Sequence, residues 1–198
     1  MNEQSDDDGQ QTGSHGTDAP ILSTMRLILR APAMEDAKAI AEIANNRRIA
    51  EQTRRMPHPY SERDAVEWIE KGAASGDSSF LVTLKSDGTI IGAAGFAPMD
   101  EDETEIGYWI GEHFWGNGYA TEAAQAVIDH AFTALPLERL YGCCRVTNTP
   151  SRRVLVKCGF QLVGPGMCDC RALKGVVPAE EFILERSVWA SLRQWGEA

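Results

Sequence analysis

The residues of this chain best placed to do chemistry are Trp115-Gly116-Asn117-Gly118-Tyr119-Ala120-Thr121. They follow an extended stretch, Glu105 to Ile110, rich in aromatic and β-branched residues, and they precede a long helical pattern that starts near Ala120. Strand, glycine turn, helix is an order that grips phosphate. The first amides of a helix have no partner inside it, the helix dipole favours negative charge there, and glycines let the main chain approach a diphosphate closely. The stretch lacks the Lys-Ser/Thr ending of a P-loop, and it lacks the third glycine and downstream acid of a dinucleotide fingerprint. A plain strand-to-helix turn is the competing reading of the same residues.

A second set lies downstream: Asn148-Thr149-Pro150-Ser151, then Val154-Leu155 and Cys158-Gly159-Phe160. Asparagine offers a donor and an acceptor together, which suits an amide-bearing ligand, and an ordinary strand-end turn explains it as well. Ser151 reads equally as a hydroxyl donor or as a residue of a helix cap.

Together the two sets resemble the GNAT superfamily of N-acetyltransferases, over about residues 24 to 188. The usual acyl-CoA loop of that family is Gln/Arg-x-x-Gly-x-Gly/Ala, and Gly118 and Ala120 occupy its last two defined positions, with Trp115 in place of the first. Trp115 through Glu122 has the form usual in the branch of bacterial ribosomal-protein N-terminal acetyltransferases (RimJ/RimL type). The resemblance implies an α/β (α+β) GNAT fold, with a mixed, mostly antiparallel sheet of about seven strands, the fourth and fifth splayed apart, and about four helices.

It also implies a set of roles. Acetyl-CoA is the acyl donor, its pyrophosphate on the amides of Gly116, Asn117, Gly118, Tyr119, Ala120 and Thr121 and its pantetheine arm along Trp109, Ile110 and Asn148. Arg152, Arg153 and Lys157 could meet the remaining phosphate, although solvated surface describes each as well. Amine acetylation needs a neutral nucleophile, a polarised carbonyl and a proton for the departing thiolate. The Ile110 amide is the candidate for the carbonyl. Glu105 is the candidate base, with desolvation raising its pKa, or else a structural carboxylate. Many members carry a tyrosine proton donor seven residues beyond the asparagine, but that position is Leu155, so Ser151 is the substitute, with Tyr108 and Tyr119 as further donors. By the same resemblance His58, Tyr60 and Tyr108 would line the entrance for an amine-bearing acceptor, a peptide N-terminus or a small amine such as a polyamine or an antibiotic, although a proline-rigidified connection describes His58 and Tyr60 as well. The missing tyrosine leaves a second possibility, a non-catalytic acyl-CoA-binding regulatory module.

The elements that must position these residues follow from periodicity. Met25 to Arg30 alternates as a first strand closed by Pro32, and Ala37, Ile40, Ala41 and Ala44 recur at helical spacing. The pairs Arg47-Arg48 and Arg54-Arg55 are expected on a solvated face. Met56-Pro57-His58-Pro59-Tyr60 breaks the helix, because two prolines in three residues cannot sit inside one. Ser61 and Asp64 form a near-capping box for the next helix, whose stripe is Val66, Ile69 and Ala73 with Trp68 beside it. Phe80 to Leu84, the turn Ser86-Asp87-Gly88 and Thr89 to Phe96 make a hairpin, joined through acidic Asp100 to Glu103 to the central strand. Ala124, Val127, Ile128, Ala131, Phe132 and Leu135 form one helix face, stopped by Pro136. A strand from Arg139 to Thr147, a short helix opened by Pro150 and closed by Gly159, and final strands near Phe160 to Val163 and Glu181 to Ser187 complete the chain.

At 198 residues one domain is expected, residues 21–198, after an acidic tail over 1–20 with too little to bury to become ordered. No apolar run reaches a membrane span and the opening is not a secretory signal, so a cytoplasmic protein is expected, a monomer or homodimer with no membrane partner. A net charge of −10, half of it in the tail, excludes broad nucleic-acid binding, and a mildly acidic body suits a cationic amine. Five cysteines without a framework spacing are expected to be reduced thiols, and with no second Cys/His pair near Cys168 and Cys170 no metal is expected.

Overall fold

The structure, a computed structural model, describes residues 20–75, 78–99 and 103–196. The expected tail, save its last residue, and the acidic stretch 100–102 lie outside the described residues. The strands are β1 (Leu22–Ser23), β2 (Leu27–Arg30), β3 (Ser78–Leu84), β4 (Ile90–Pro98), β5 (Thr104–Ile110), β6 (Arg139–Arg145), β7 (Gln161–Cys170) and β8 (Gly175–Glu185). The helices are α1 (Ala37–Ala44), α2 (Arg47–Ala50), α3 (Glu62–Ser75), α4 (Tyr119–Ala134), α5 (Thr149–Lys157) and α6 (Arg186–Gly196).

All eight strands form one sheet in the order β1-β2-β3-β4-β5-β6-β8-β7. Every pair is antiparallel except β5 with β6, which run parallel and meet at one register point, Glu105 opposite Tyr141. Beyond it the two strands diverge. The eighth strand is the two-residue β1, so the splayed fourth and fifth strands of the expected sheet are β5 and β6 here.

The sheet has a core on each face. Phe132, Val127, Ile128 and Ala131 of α4 pack with Leu27, Leu29, Ile106 and Ile110 on one side, and Ile40 and Ala44 of α1 and Ile69 of α3 pack with Leu81 and Ala93 on the other. The capping box at the start of α3 forms as the spacing predicts, the Ser61 amide donating to Asp64 at 2.9 Å and the Asp64 amide to Ser61 Oγ at 3.3 Å.

Among the described residues six helices stand where about four were expected, and the last elements of the chain differ from expectation. The last strands are long, ten and eleven residues, and their hairpin reaches back to α2, where the Arg171 amide donates to Arg54 O at 3.0 Å. The last strand ends at Glu185, and Ser187 lies in α6, whose Trp189 stacks on Phe132 at 5.0 Å between ring centroids. Arg186 donates to the carbonyls of Phe132 (2.9 Å) and Leu135 (2.8 Å), which satisfies orphan acceptors at the end of α4. Among the described residues no helix is long and apolar enough to cross a membrane, and no group of three or more His, Cys, Asp or Glu could hold a metal.

Candidate active site

The turn before α4 has the geometry its glycines suggest. Gly116 and Gly118 both have φ +81°, in the left-handed region, and a Cβ at Gly116 would meet nothing within 4 Å. Trp115 and Thr121 donate within the turn, to Glu112 O and Gly118 O, each at 3.1 Å. The amides of Gly116 to Ala120 donate to no acceptor among the described residues, so five of the six expected donors stand free at a helix N-terminus and Thr121 is engaged.

The side chains of the loop hold its shape. Asn117 Nδ2 donates to the carbonyls of Phe114 (3.1 Å) and Trp115 (3.2 Å), so this side chain braces the turn and only its amide faces outward. Trp115, where the usual loop has Gln or Arg, donates from Nε1 to Ile110 O at 2.6 Å and ties the loop to the end of β5. Tyr119 lies under the Arg26 guanidinium, 4.6 Å from the ring centroid, and packs on the α4 core.

Arg26, in the turn between β1 and β2, and Glu122, in the first turn of α4, have a bracing role here that the sequence reading assigned to neither. Arg26 Nη1 donates to Asn117 O at 2.9 Å and Nη2 pairs with Glu122 at 2.7 Å, while Glu122 also accepts from Thr24 Oγ1 at 2.6 Å and from the Arg26 amide at 2.8 Å. The turn between β1 and β2 thus clamps the loop from about a hundred residues away in sequence, a separation that no local pattern carries.

The other half of the site is the wedge between β5 and β6. Gly111 N donates to Ile91 O at 2.8 Å, so the odd-numbered residues of β5 turn their amides to β4, and Tyr108 and Ile110 turn theirs toward β6. The Ile110 amide faces the wedge as expected. Trp109 is a correction: its backbone bonds toward β4, and its side chain packs against the α1 and α3 core. Asn148 caps α5, its Oδ1 accepting from the Ser151 amide at 3.2 Å, which leaves Nδ2 to offer. Arg152 is occupied by Glu180 at 3.1 Å, and Arg153 and Lys157 are exposed on α5.

Side chains alternate across β5, so Tyr108 and Glu105 face opposite ways. Tyr108 meets α5, its hydroxyl 2.9 Å from Ser151 Oγ, and burial pushes its pKa above the usual tyrosine range. It is therefore on the other side of the strand from the 58–60 loop with which the sequence reading grouped it. Glu105 lies on the α1 and α3 side with a side chain 13% exposed, 2.8 Å from Arg54 Nη1. Burial raises its pKa above the ordinary 4.5, against the opposing pull of Arg54 and Arg55. Arg54 is accordingly a partner of the candidate base and not part of a solvated face; Arg48 is likewise drawn to Glu112 and over the Trp115 ring at 5.1 Å.

Of the two entrance residues, His58 is exposed and Tyr60 is not. Tyr60 is 8% exposed and packs in the α1 and α3 core, where burial pushes its hydroxyl up to about 12, so it supports the entrance without lining it. Arg54, the partner of Glu105, also lines an open cleft of about 570 Å³ together with Arg55, Lys71, Arg171 and Lys174. The body of the protein is mildly acidic as a whole, but here the β7–β8 turn and the segment after α2 bring basic residues together. All five cysteines are free thiols, and burial raises the pKa of Cys143 and Cys158, each to about 12.

Free amides at a helix start, two left-handed glycines and a wedge in the sheet are the features an acyl-CoA site needs, and comparison with known proteins agrees. Residues 26–161 match the acetyltransferase (GNAT) domain family. This chain belongs to the GNAT acetyltransferases. It is similar to the uncharacterised N-acetyltransferase p20 of Bacillus licheniformis, 32% identical over 148 residues, 72% of this chain and 83% of that protein. It is 34% identical over 91 residues to the ribosomal-protein-serine acetyltransferase of Escherichia coli, covering 45% of this chain and 50% of that one. Among solved structures, RimJ of Mycobacterium smegmatis in complex with CoA-disulfide superposes with a TM-score of 0.75 at 22% identity, over 85% of this chain and 88% of that one, a likeness of fold. The chain is thus an N-acetyltransferase of the GNAT fold that uses acetyl-CoA.

Proposed function

We propose that this cytoplasmic GNAT enzyme acetylates a primary amine, specifically the α-amine at a protein N-terminus, by direct attack in a ternary complex. The observation that carries the mechanism is the pair of proton sites on opposite faces of β5. Glu105, buried with a raised pKa, is on one face, and Tyr108 in contact with Ser151 is on the other.

The free amides of Gly116 to Ala120 hold the pyrophosphate, Asn148 Nδ2 and the Tyr108 backbone groups hold the pantetheine arm, and the Ile110 amide polarises the carbonyl. Bound there, acetyl-CoA supplies an acetyl group activated as a thioester. Glu105 takes a proton from the acceptor ammonium, directly or through a water, and passes it to solvent, which frees the nitrogen lone pair to form the C–N bond at the thioester carbon; as the C–S bond breaks, Glu105 takes the second nitrogen proton. Tyr108 gives its hydroxyl proton to the leaving sulfur, with Ser151 Oγ at 2.9 Å to replace it. His58 borders the path by which the amine arrives.

Leu155 stands where many relatives carry the tyrosine donor, and it is buried, which favours the second reading, an acyl-CoA-binding module without turnover. The hydroxyl pair beside it answers the missing group. Incubation with acetyl-CoA and a panel of N-terminal peptides, polyamines and other amines, read by thiol release and a mass shift of the acceptor, tests both. Acetylated peptides support the proposal; tight CoA binding with no thiol release for any amine supports the module instead.

A further inference from the structure

We infer that the acceptor reaches Glu105 at the head of an acidic segment, and that the basic cleft lined by Arg54, the partner of Glu105, is the subsite for the residues that follow the acetylated one. The inference rests on the reading of Glu105 as the base, because Arg54, which lines the cleft, is the residue that touches Glu105, at 2.8 Å.

The cleft is assembled from three parts of the chain: Arg54 and Arg55 after α2, Lys71 on α3, and Asp169 through Gly175 at the β7–β8 turn. Five cations face one lining carboxylate, Asp169. The Arg171 amide donates to the Arg54 carbonyl at 3.0 Å, so the turn and the segment after α2 are docked to each other and the cleft has a fixed wall. Arg55, Lys71, Arg171 and Lys174 have no ion pair within 4 Å among the described residues. Through space Arg55 acts on Glu105, and Arg171 acts on Asp64 and Tyr60.

Such a cluster is not what a chain of net charge −10 produces by average composition. Like charges around one cleft repel one another, and an anionic ligand relieves that repulsion. The acidic remainder of the protein opposes such a ligand only at long range, where salt screens it beyond about 10 Å at 0.1 M. At contact the local cations decide. The cleft opens to the surface and its charges are spread over three elements, which suits an extended segment carrying several carboxylates better than a compact ligand with one.

The test uses the full chain with acetyl-CoA and peptides that share one first residue and differ only in the next two: Asp-Glu, Gln-Asn or Lys-Arg. Specificity, kcat/KM by mass shift, is expected to favour the acidic peptide over the basic one by about tenfold at low salt and by less at high salt. The double substitution Lys71→Glu with Lys174→Glu, which brings the lining from an excess of cations to balance, is expected to abolish that preference, whereas Lys38→Glu, on the outer face of α1, keeps it. Equal rates for acidic and basic peptides, or an order that survives the double reversal, overturn the inference while leaving N-terminal acetylation in place. Should no peptide be acetylated, fluorescence anisotropy of the same labelled peptides on the CoA-loaded protein separates the two ideas. Selective binding of the acidic peptide that the double reversal abolishes upholds the subsite and removes only the acetylation reading; binding without charge preference removes the subsite. Turnover of a small carboxylate- or phosphate-bearing amine, with none of the acidic peptides either acetylated or selectively bound, also overturns it.

Discussion

Glu105 is held between two opposing effects. Burial disfavours its charge, Arg54 and Arg55 favour it, and burial is the larger, so its pKa is raised above 4.5. As the base it must be ionised, and kcat/KM should therefore rise with pH through that raised value. Arg54→Ala removes the nearest opposing cation and should move the acid limb of the pH–rate profile further up, a shift read directly from the profile. Glu105→Gln should lower turnover at neutral pH by about tenfold or more with CoA affinity kept, and unchanged rates would remove Glu105 from the role. A carboxyl with a raised folded-state pKa stabilises the fold fully below its unfolded-state pKa, and that stability is lost as pH rises past the folded value. The glutamine variant should for that reason lose activity without losing melting temperature at neutral pH. At the acid site, Tyr108→Phe and Ser151→Ala each interrupt one hydrogen-bonded unit. Their effects on kcat should be non-additive, the double variant being little slower than Tyr108→Phe.

At the scale of the element, the loop before α4 depends on two left-handed residues. A side chain at Gly118 would carry a backbone penalty of about 1–2 kcal/mol and would come within 3.5 Å of Arg26 Nη2 at its Cβ. Gly118→Val, β-branched as well, should weaken CoA binding by about tenfold or more in calorimetry, while Glu105-dependent proton chemistry is untouched. Normal CoA affinity in that variant would show that the loop does not hold the diphosphate. Arg26 and Glu122 make the complementary point: the loop keeps its shape because the β1–β2 turn is bonded to it through side chains.

At the scale of the molecule, α6 closes the fold on the α4 side. Trp189 stacks on Phe132 and donates from Nε1 to Asp129 at 2.7 Å, and Leu192 lies where a Cβ at Gly159 would come within 2.5 Å of it. Trp189→Ala removes an aromatic pair and a hydrogen bond to a carboxylate, and should cost about 3 kcal/mol in urea unfolding. Because α6 is on the side of the sheet away from the basic cleft, peptide preference should survive in the folded fraction. The β7–β8 hairpin acts in the other direction: it reaches across to the segment after α2 and brings Arg171 and Lys174 into the cleft.

The sequence by itself determined what depends on near neighbours. The glycine turn, the capping box of Ser61 and Asp64, the hairpin at Gly88 and the apolar face of α4 are each written within one or two turns of chain, where propensity and periodicity act. Two short motifs with a shared order also sufficed for the family. The tertiary structure decided everything that depends on which distant segments meet: Arg54 against Glu105, Tyr108 against Ser151, Arg26 against Glu122, Tyr60 in the core instead of the entrance, and five basic residues around one cleft of an acidic protein. The physical reason is that charge and burial act through space. A side chain's pKa and partner are set by what the fold brings within a few ångströms, and contacts across 43 to 98 residues leave no period in the sequence that spells them.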